Sequence, residues 1–255
     1  MDNPPAAVQD AISSNDVEVV RAWLKRHPPP SYNALQECLL LAMPNGSLEM
    51  IDTMLKHGAT VSFLAFLEAF EREETAVFQK LIDYGWDIDS TEFELPAVQL
   101  VLDNERLLRW FLDRGANPNT KSVRRGASCL QPCTPLAAAA EFDDTTALQI
   151  LLSYGAEMDP LALFHAIGVR GQANGIATTA MLVERGADVN HVAENWGTPL
   201  DYAVKYNAKE KLLLLLEHGA DPTARSVVSR QTPTEYAKSC KHLELYDILK
   251  AAETS

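Results

Sequence analysis

Six times along this chain an apolar run ends on the same kind of phrase, a glycine that closes the run and a polar stretch after it. The phrases are MLKHGATVS (54–62), LIDYGWDID (81–89), FLDRGANPN (111–119), LLSYGAEMD (151–159), MLVERGADVN (181–190) and LLEHGADPT (215–223). Their glycines, at 58, 85, 115, 155, 186 and 219, lie 27, 30, 40, 31 and 33 residues apart. A period near thirty-three with helical apolar patterning is a repeat signature. A looser unit precedes them, NDVEVVRAWLKRH (15–27), with His27 in the place of the glycine, and KHLELYDILKAA (241–252) follows them. The count is about eight units.

Such a glycine ends a helix, because the residue after the last turn often takes left-handed φ and ψ, which glycine adopts without steric cost. The Thr-Pro pairs at Thr134, Thr198 and Thr232 do the reverse: the hydroxyl caps the next helix and proline fits its first turn. Between cap and glycine the pattern predicts two short helices. In the last full unit Leu200 and Ala203 pattern the first, and Leu212, Leu213, Leu215 and Leu216 the second. One such pair buries too little to offset backbone ordering at about 1–2 kcal/mol per residue, so the pairs must stack and share a core.

The stretches CTPLAAAAEFDDTTALQILLSYGA (133–156), GTPLDYAVKYNAKEKLLLLLEHGADP (197–222) and QTPTEYAKSCKHLELYDILK (231–250) make the sequence resemble the ankyrin-repeat family. The resemblance covers nearly the whole chain, more loosely before residue 60. It implies an all-α solenoid of helix–turn–helix units joined by projecting hairpin fingers. It also implies a protein that binds other proteins through finger tips and the inner-helix concave face. On this reading residues 1–255 form one array of seven to eight units, divergent over 1–60, regular over 61–230 and closed by a capping unit at 231–255.

Several positions depart from the family pattern. Where the family carries a histidine after Thr-Pro-Leu that ties loops together, Ala137, Asp201 and Glu235 stand here, so the polar tie is expected to be missing. The fingers after Gly186 and Gly219 are of full length. The finger 116–133 carries an insertion, and after Gly155 the next helix is expected near Asp159-Pro160, leaving a notch. That unit instead carries GVRGQANG (168–175) between its helices. A tolerated insertion and a binding loop are both readings of 116–133.

The chain has 22 Lys and Arg against 35 Asp and Glu, a formal net charge of −13, which argues against a nucleic-acid face. No apolar run approaches the length needed to cross a bilayer. The acidic start MDNPPAAVQDAISSND lacks the regions of a signal peptide, and four cysteines in a chain of this size read as reduced thiols. The expected location is cytoplasmic or nuclear. The motifs for phosphate loops, zinc proteases and serine hydrolases are absent. Cys129 and Cys133 lack a matching Cys or His pair for zinc, so no metal and no cofactor is expected. Asp143-Asp144 reads as an inter-helix turn, and Trp23 and Trp110 as core.

Charge is uneven. Residues 68–113 are rich in acids, whereas the finger 116–133 carries Lys121, Arg124 and Arg125 with no acid, and the last finger carries Arg225 and Arg230 with no acid after Asp221. These cations suit an acidic segment of a partner protein. Trp196 at a finger base would be an apolar anchor, and Trp86 stands where an alanine is usual. The expected partner-binding set is Lys121, Arg124, Arg125, Glu141, His191, Glu194, Trp196, Asp201, Lys205, Tyr206, Arg225 and Arg230. Asn190 occupies a finger position that in the resembling family can be hydroxylated, and also reads simply as a turn residue. The leading expectation is a non-catalytic interaction module. The alternatives are a small-molecule or enzymatic site in the notch beside 116–133, and self-assembly.

Overall fold

The computed structural model describes residues 3–26, 29–123, 132–168 and 175–254, so His27 and most of GVRGQANG lie outside the described residues. Among the described residues helices follow one another and no strand forms; one isolated bridge joins Ala193 and Gly197. The fold is all-α. Among the described residues the fingers, expected as hairpins, are strings of turns. Their Asn and Asp side chains satisfy the backbone locally: Asp87, Asn117, Asp188 and Asp221 each accept the N–H two residues on, at 2.8–2.9 Å.

The chain divides into two compact units, Met1–Phe93 and Glu94–Ser255. The first holds α1 (Ala6–Ser13), α2 (Val17–Leu24), α3 (Tyr32–Ala42), α4 (Leu48–Lys56), α5 (Phe63–Arg72) and α6 (Thr75–Asp83). Within it the inner helices α1, α3 and α5 pack in sequence, as do the outer helices α2, α4 and α6. Phe66, Phe78, Met50, Met54 and Leu39 fill the space between the two rows. Trp23 joins this core.

The second unit holds α7 (Ala97–Leu100), α8 (Glu105–Asp113), α9 (Pro135–Ala139), α10 (Thr146–Ser153), α11 (Ala162–Gly168), α12 (Ile176–Glu184), α13 (Pro199–Lys205), α14 (Lys209–Glu217), α15 (Pro233–Ser239) and α16 (Leu243–Ala252). The odd-numbered helices form its inner row, from α7 through α9, α11 and α13 to α15. Leu212 and Leu215 of α14 are fully buried, but Leu213 is 36% exposed, since it turns away from the row. Each fully buried leucine contributes roughly 1.5–3 kcal/mol. Trp110, expected in the core, is only half-buried: α8 turns it outward, and the Arg114 guanidinium lies 3.7 Å over its ring.

All six phrase glycines have φ between 86° and 93°. In each, the glycine N–H reaches the carbonyl three residues back, and the next N–H reaches five back, as in Gly219 to Leu216 (3.1 Å) and Ala220 to Leu215 (2.9 Å). This is the Schellman arrangement, which satisfies the last carbonyls of the helix. The inner helices α1, α13 and α15 end the same way on non-glycine residues, Asn15, Asn207 and Lys241, all at positive φ. The expected Thr caps also form. Thr134, Thr198 and Thr232 accept the N–H of Ala137, Asp201 and Glu235.

The polar tie expected to be missing is replaced. Asp201 and Glu235, in the histidine's place, return a bond to the Thr198 and Thr232 N–H groups and close capping boxes. Where Ala137 cannot, Asp159 of the next unit accepts the Thr134 hydroxyl at 2.8 Å. Neighbouring fingers are clamped by asparagines. Asn119 donates to the Gly155 carbonyl and accepts from Glu157 N–H, and Asn190 does the same to Gly219 and Asp221. Asn190 is thus more than a turn residue. Lys211, only 2% exposed, donates to the Ala166 and Ile167 carbonyls at the end of α11 (2.7 and 3.0 Å), and burial pulls its pKa below the usual lysine range.

An alanine Cβ at Gly186 meets nothing within 4 Å, so only its φ of 90° requires glycine. Gly186→Ala is expected to lose about 1–2 kcal/mol in urea unfolding, and Gly186→Asn less. Gly197→Ala should cost more, because a Cβ there would also sit 2.5 Å from Asp201 Oδ2. Burial pushes the Asp201 carboxyl above the usual carboxylate range, against hydrogen bonds from Thr198 and Ser226. The folded state therefore holds that proton more tightly than the unfolded chain, and stability from this group falls as pH rises through the raised pKa. Asp201→Asn should be at least as stable as the parent at pH 7, with its advantage shrinking as pH drops toward 3.8. A loss above roughly 1 kcal/mol at pH 7, the worth of one hydrogen bond, would contradict this.

Candidate partner-binding face

The inner row of the second unit carries a preformed aromatic cluster. Trp196 sits at the base of the finger 187–198, where the Ala193–Gly197 bridge and the positive φ of Gly197 turn the chain back. Its ring packs on Phe164 (5.4 Å between centroids) and His165 (6.0 Å) of α11, and on Tyr202 of α13 (5.7 Å). Tyr206 continues the cluster, edge-on to Tyr202 at 4.9 Å. The Lys205 ammonium lies 5.3 Å from the Tyr202 ring and 5.4 Å from that of Tyr206. Phe164 and Tyr202 are buried, whereas Trp196 and Tyr206 are half-exposed and Lys205 is exposed. The packed residues hold the indole in place, so a ligand meeting it has little side-chain freedom left to freeze.

Glu141, just beyond α9, hydrogen-bonds the Nδ1 of the buried His165 at 2.9 Å and so borders the same cluster. His191 is half-exposed and lies edge-on to Phe164 at 6.3 Å. Glu194 is exposed on the same finger. Glu141 and His191 thus border the cluster that Trp196, Lys205 and Tyr206 belong to. Asp201 is not available to a partner: it is 3% exposed and committed to the cap of α13.

The cations divide. Arg225 is exposed but engaged, bonding the Glu235 carboxylate at 3.1 Å and the Arg230 carbonyl at 3.0 Å. Arg230 is exposed at the turn of the last finger, with φ of 62°. Lys121 is exposed on the long finger. Arg124 and Arg125 lie outside the described residues, as does Cys129. Cys133 is buried, with its sulfur 3.8 Å from the Gln99 amide nitrogen. Among the described residues no group of His, Cys, Asp and Glu is placed to hold a metal ion. Asp144 accepts the Thr146 N–H and hydroxyl, so this carboxylate serves the turn as the sequence suggests.

Sequence reasoning missed the apolar finger tips. Val192 is 51% exposed, and Val227 and Val228 are 50% and 54% exposed. The signal was present in SVVS (226–229), two β-branched residues within an otherwise polar loop. It also missed Phe164, Tyr202 and Lys211, because their roles depend on which helices meet. No described helix is long and apolar enough to cross a membrane.

A model of ankyrin repeats, in three copies, matches residues 136–226, the stretch that contains α11, α13 and the Trp196 finger. The chain is also 34% identical over 119 residues to ankyrin repeat and SOCS box protein 11 of Danio rerio. That similarity takes in 44% of this chain and 39% of the relative, so the chain spans well under two thirds of the relative's length. Helix pairs ended by left-handed glycines and opened by Thr-Pro caps, matched by the repeat model, identify residues 136–226 of this chain as ankyrin repeats.

Proposed function

We propose that this chain is a non-catalytic protein-interaction module that binds an acidic, partly apolar segment of another protein on the inner-helix face and fingers of its second unit. Ankyrin repeats are generally protein-interaction modules, which supports the class of function. The face rests on one observation, the half-exposed Trp196 held by Phe164 and Tyr202, with the Lys205 ammonium lying on the far partner ring, that of Tyr202. An indole fixed on a packed aromatic floor, in a cluster that also carries a cation, has the composition of an interface hot spot. The exposed valines of the finger tips extend the apolar part, and Lys205 and Arg230 set the preference for acidic groups. Arg225 contributes less, because Glu235 already neutralises it. The long finger brings Lys121, with Arg124 and Arg125 alongside it in sequence, to the same partner.

The alternative reading is a small-molecule site beside the long finger, part of which lies outside the described residues. The location proposed is cytoplasmic or nuclear, in keeping with reduced thiols.

Peptides selected from a random display library on the whole chain should be enriched in Asp and Glu next to an apolar residue. Lys205→Glu and Trp196→Ala should each weaken the selected peptides at least tenfold in a binding titration, while the unfolding midpoint of Lys205→Glu stays near that of the parent. Unchanged binding by Lys205→Glu would contradict the assignment of this face.

A further inference from the structure

We propose that the first unit carries a second docking site of opposite preference, a cleft that takes one arginine or lysine side chain from an extended segment of a partner protein. The cleft lies between the helix ends at Gly58 and Gly85 and has a volume of about 250 Å³. Since a water occupies about 30 Å³ of liquid, this is room for the stem and head of one long side chain. Its floor is aliphatic, formed by Leu55, Val61 and Leu81, and its aromatic walls are Tyr84 and Trp86. Asp87 and Glu92, both exposed, stand at the rim, and no Lys, Arg or His lines it.

Trp86 is the residue that makes this cleft unlike its counterparts. After the other five phrase glycines the chain places alanine, at 59, 116, 156, 187 and 220. Trp86 makes the same backbone bond as those alanines, to Leu81 at 2.9 Å, so the helix end is unaltered and only a large indole is added. Its ring packs 5.5 Å from Phe66, which fixes it as a wall. An aliphatic stem meets apolar floor there, while its cationic head meets aromatic rings and carboxylates, the surroundings that long basic side chains favour.

The charge around the cleft points the same way. Residues 83–94 include Asp83, Asp87, Asp89, Glu92 and Glu94 and no cation. Neither Asp87 nor Glu92 has a cationic partner among the described residues. Lys80 bonds Asp52 at 2.6 Å, and Arg72 holds Glu74 together with the Met43 and Gly46 carbonyls. Beside the cleft, the first turn of α5 exposes Phe63 (42%) and Leu64 (59%), a ledge for an apolar residue next to the basic one. The occupant is therefore a basic–apolar segment, distinct from the acidic segment assigned to the second unit.

The same library selection on the full chain tests this independently of the first site. A second family of peptides should emerge, centred on Arg or Lys beside an apolar residue. Asp87→Asn/Glu92→Gln keeps the side-chain shapes and the Asp87 acceptor bond to Asp89 N–H, and should weaken this family at least tenfold with the acidic family unaffected. Lys205→Glu should do the reverse. Replacing the peptide arginine by citrulline, of equal shape but uncharged, should abolish binding, and the arginine peptide should shift the Trp86 indole resonance, identified with Trp86→Phe. A selection without a basic family, equal binding of the citrulline peptide, or full binding to Asp87→Asn/Glu92→Gln would overturn the proposal. Loss of the acidic family alone would leave it standing and count against the face of the second unit.

Discussion

An outer helix of this chain must stop and reverse direction within two residues, and a residue with positive φ is what lets it do so. The six phrase glycines all take that conformation, and their N–H groups and those of their neighbours satisfy the last helix carbonyls. Without that stop each helix would run on, and the finger that follows could not leave the stack at a constant place. The position of Trp196, Val192 and the Asn190 clamp each depends on the helix end at Gly186. Since no single pair buries enough to fold alone, the same stop also sets the spacing at which pairs share their apolar faces.

Much of this was legible in the sequence because it is local. A glycine at the end of an apolar run and Thr-Pro at the start of the next act within a few residues, and the structure places both as read. What escaped the reading is long-range. Asp159 accepting the Thr134 hydroxyl joins residues 25 apart, and Lys211 capping α11 joins residues 44 and 45 apart. Asp201 shows the cost of reading a charge as exposed by default: its place one turn into α13 faces the cap and Gly197, not solvent. Leu213 and Trp110 show the converse, apolar residues at the margin of a helix stripe that the outer row leaves partly uncovered.

The two units present different chemistry on the same kind of scaffold. In the second, the added features are aromatic and cationic: Trp196 over Phe164 and Tyr202, Lys205 on the tyrosine rings, Arg230 on the last finger. In the first, one substitution after a phrase glycine, Trp86, turns an ordinary helix end into the wall of a cleft with Asp87 and Glu92 at its rim. Both depend on a backbone that the repeat keeps constant while side chains change. Both proposed sites sit where a position departs from the repeat, and the departures are readable once the repeat itself is aligned.

The central claim, that the inner row and fingers of the second unit meet the partner, is tested most directly by site-specific photo-crosslinking. A photoreactive amino acid placed at Val192 on the finger and, separately, at Leu213 on the outer helix α14 samples two exposed positions of the same unit. The expected result is a defined crosslinked species from Val192, suppressed by the selected acidic peptide, and none from Leu213. Equal crosslinking from both positions, or crosslinking from Leu213 alone, would contradict it.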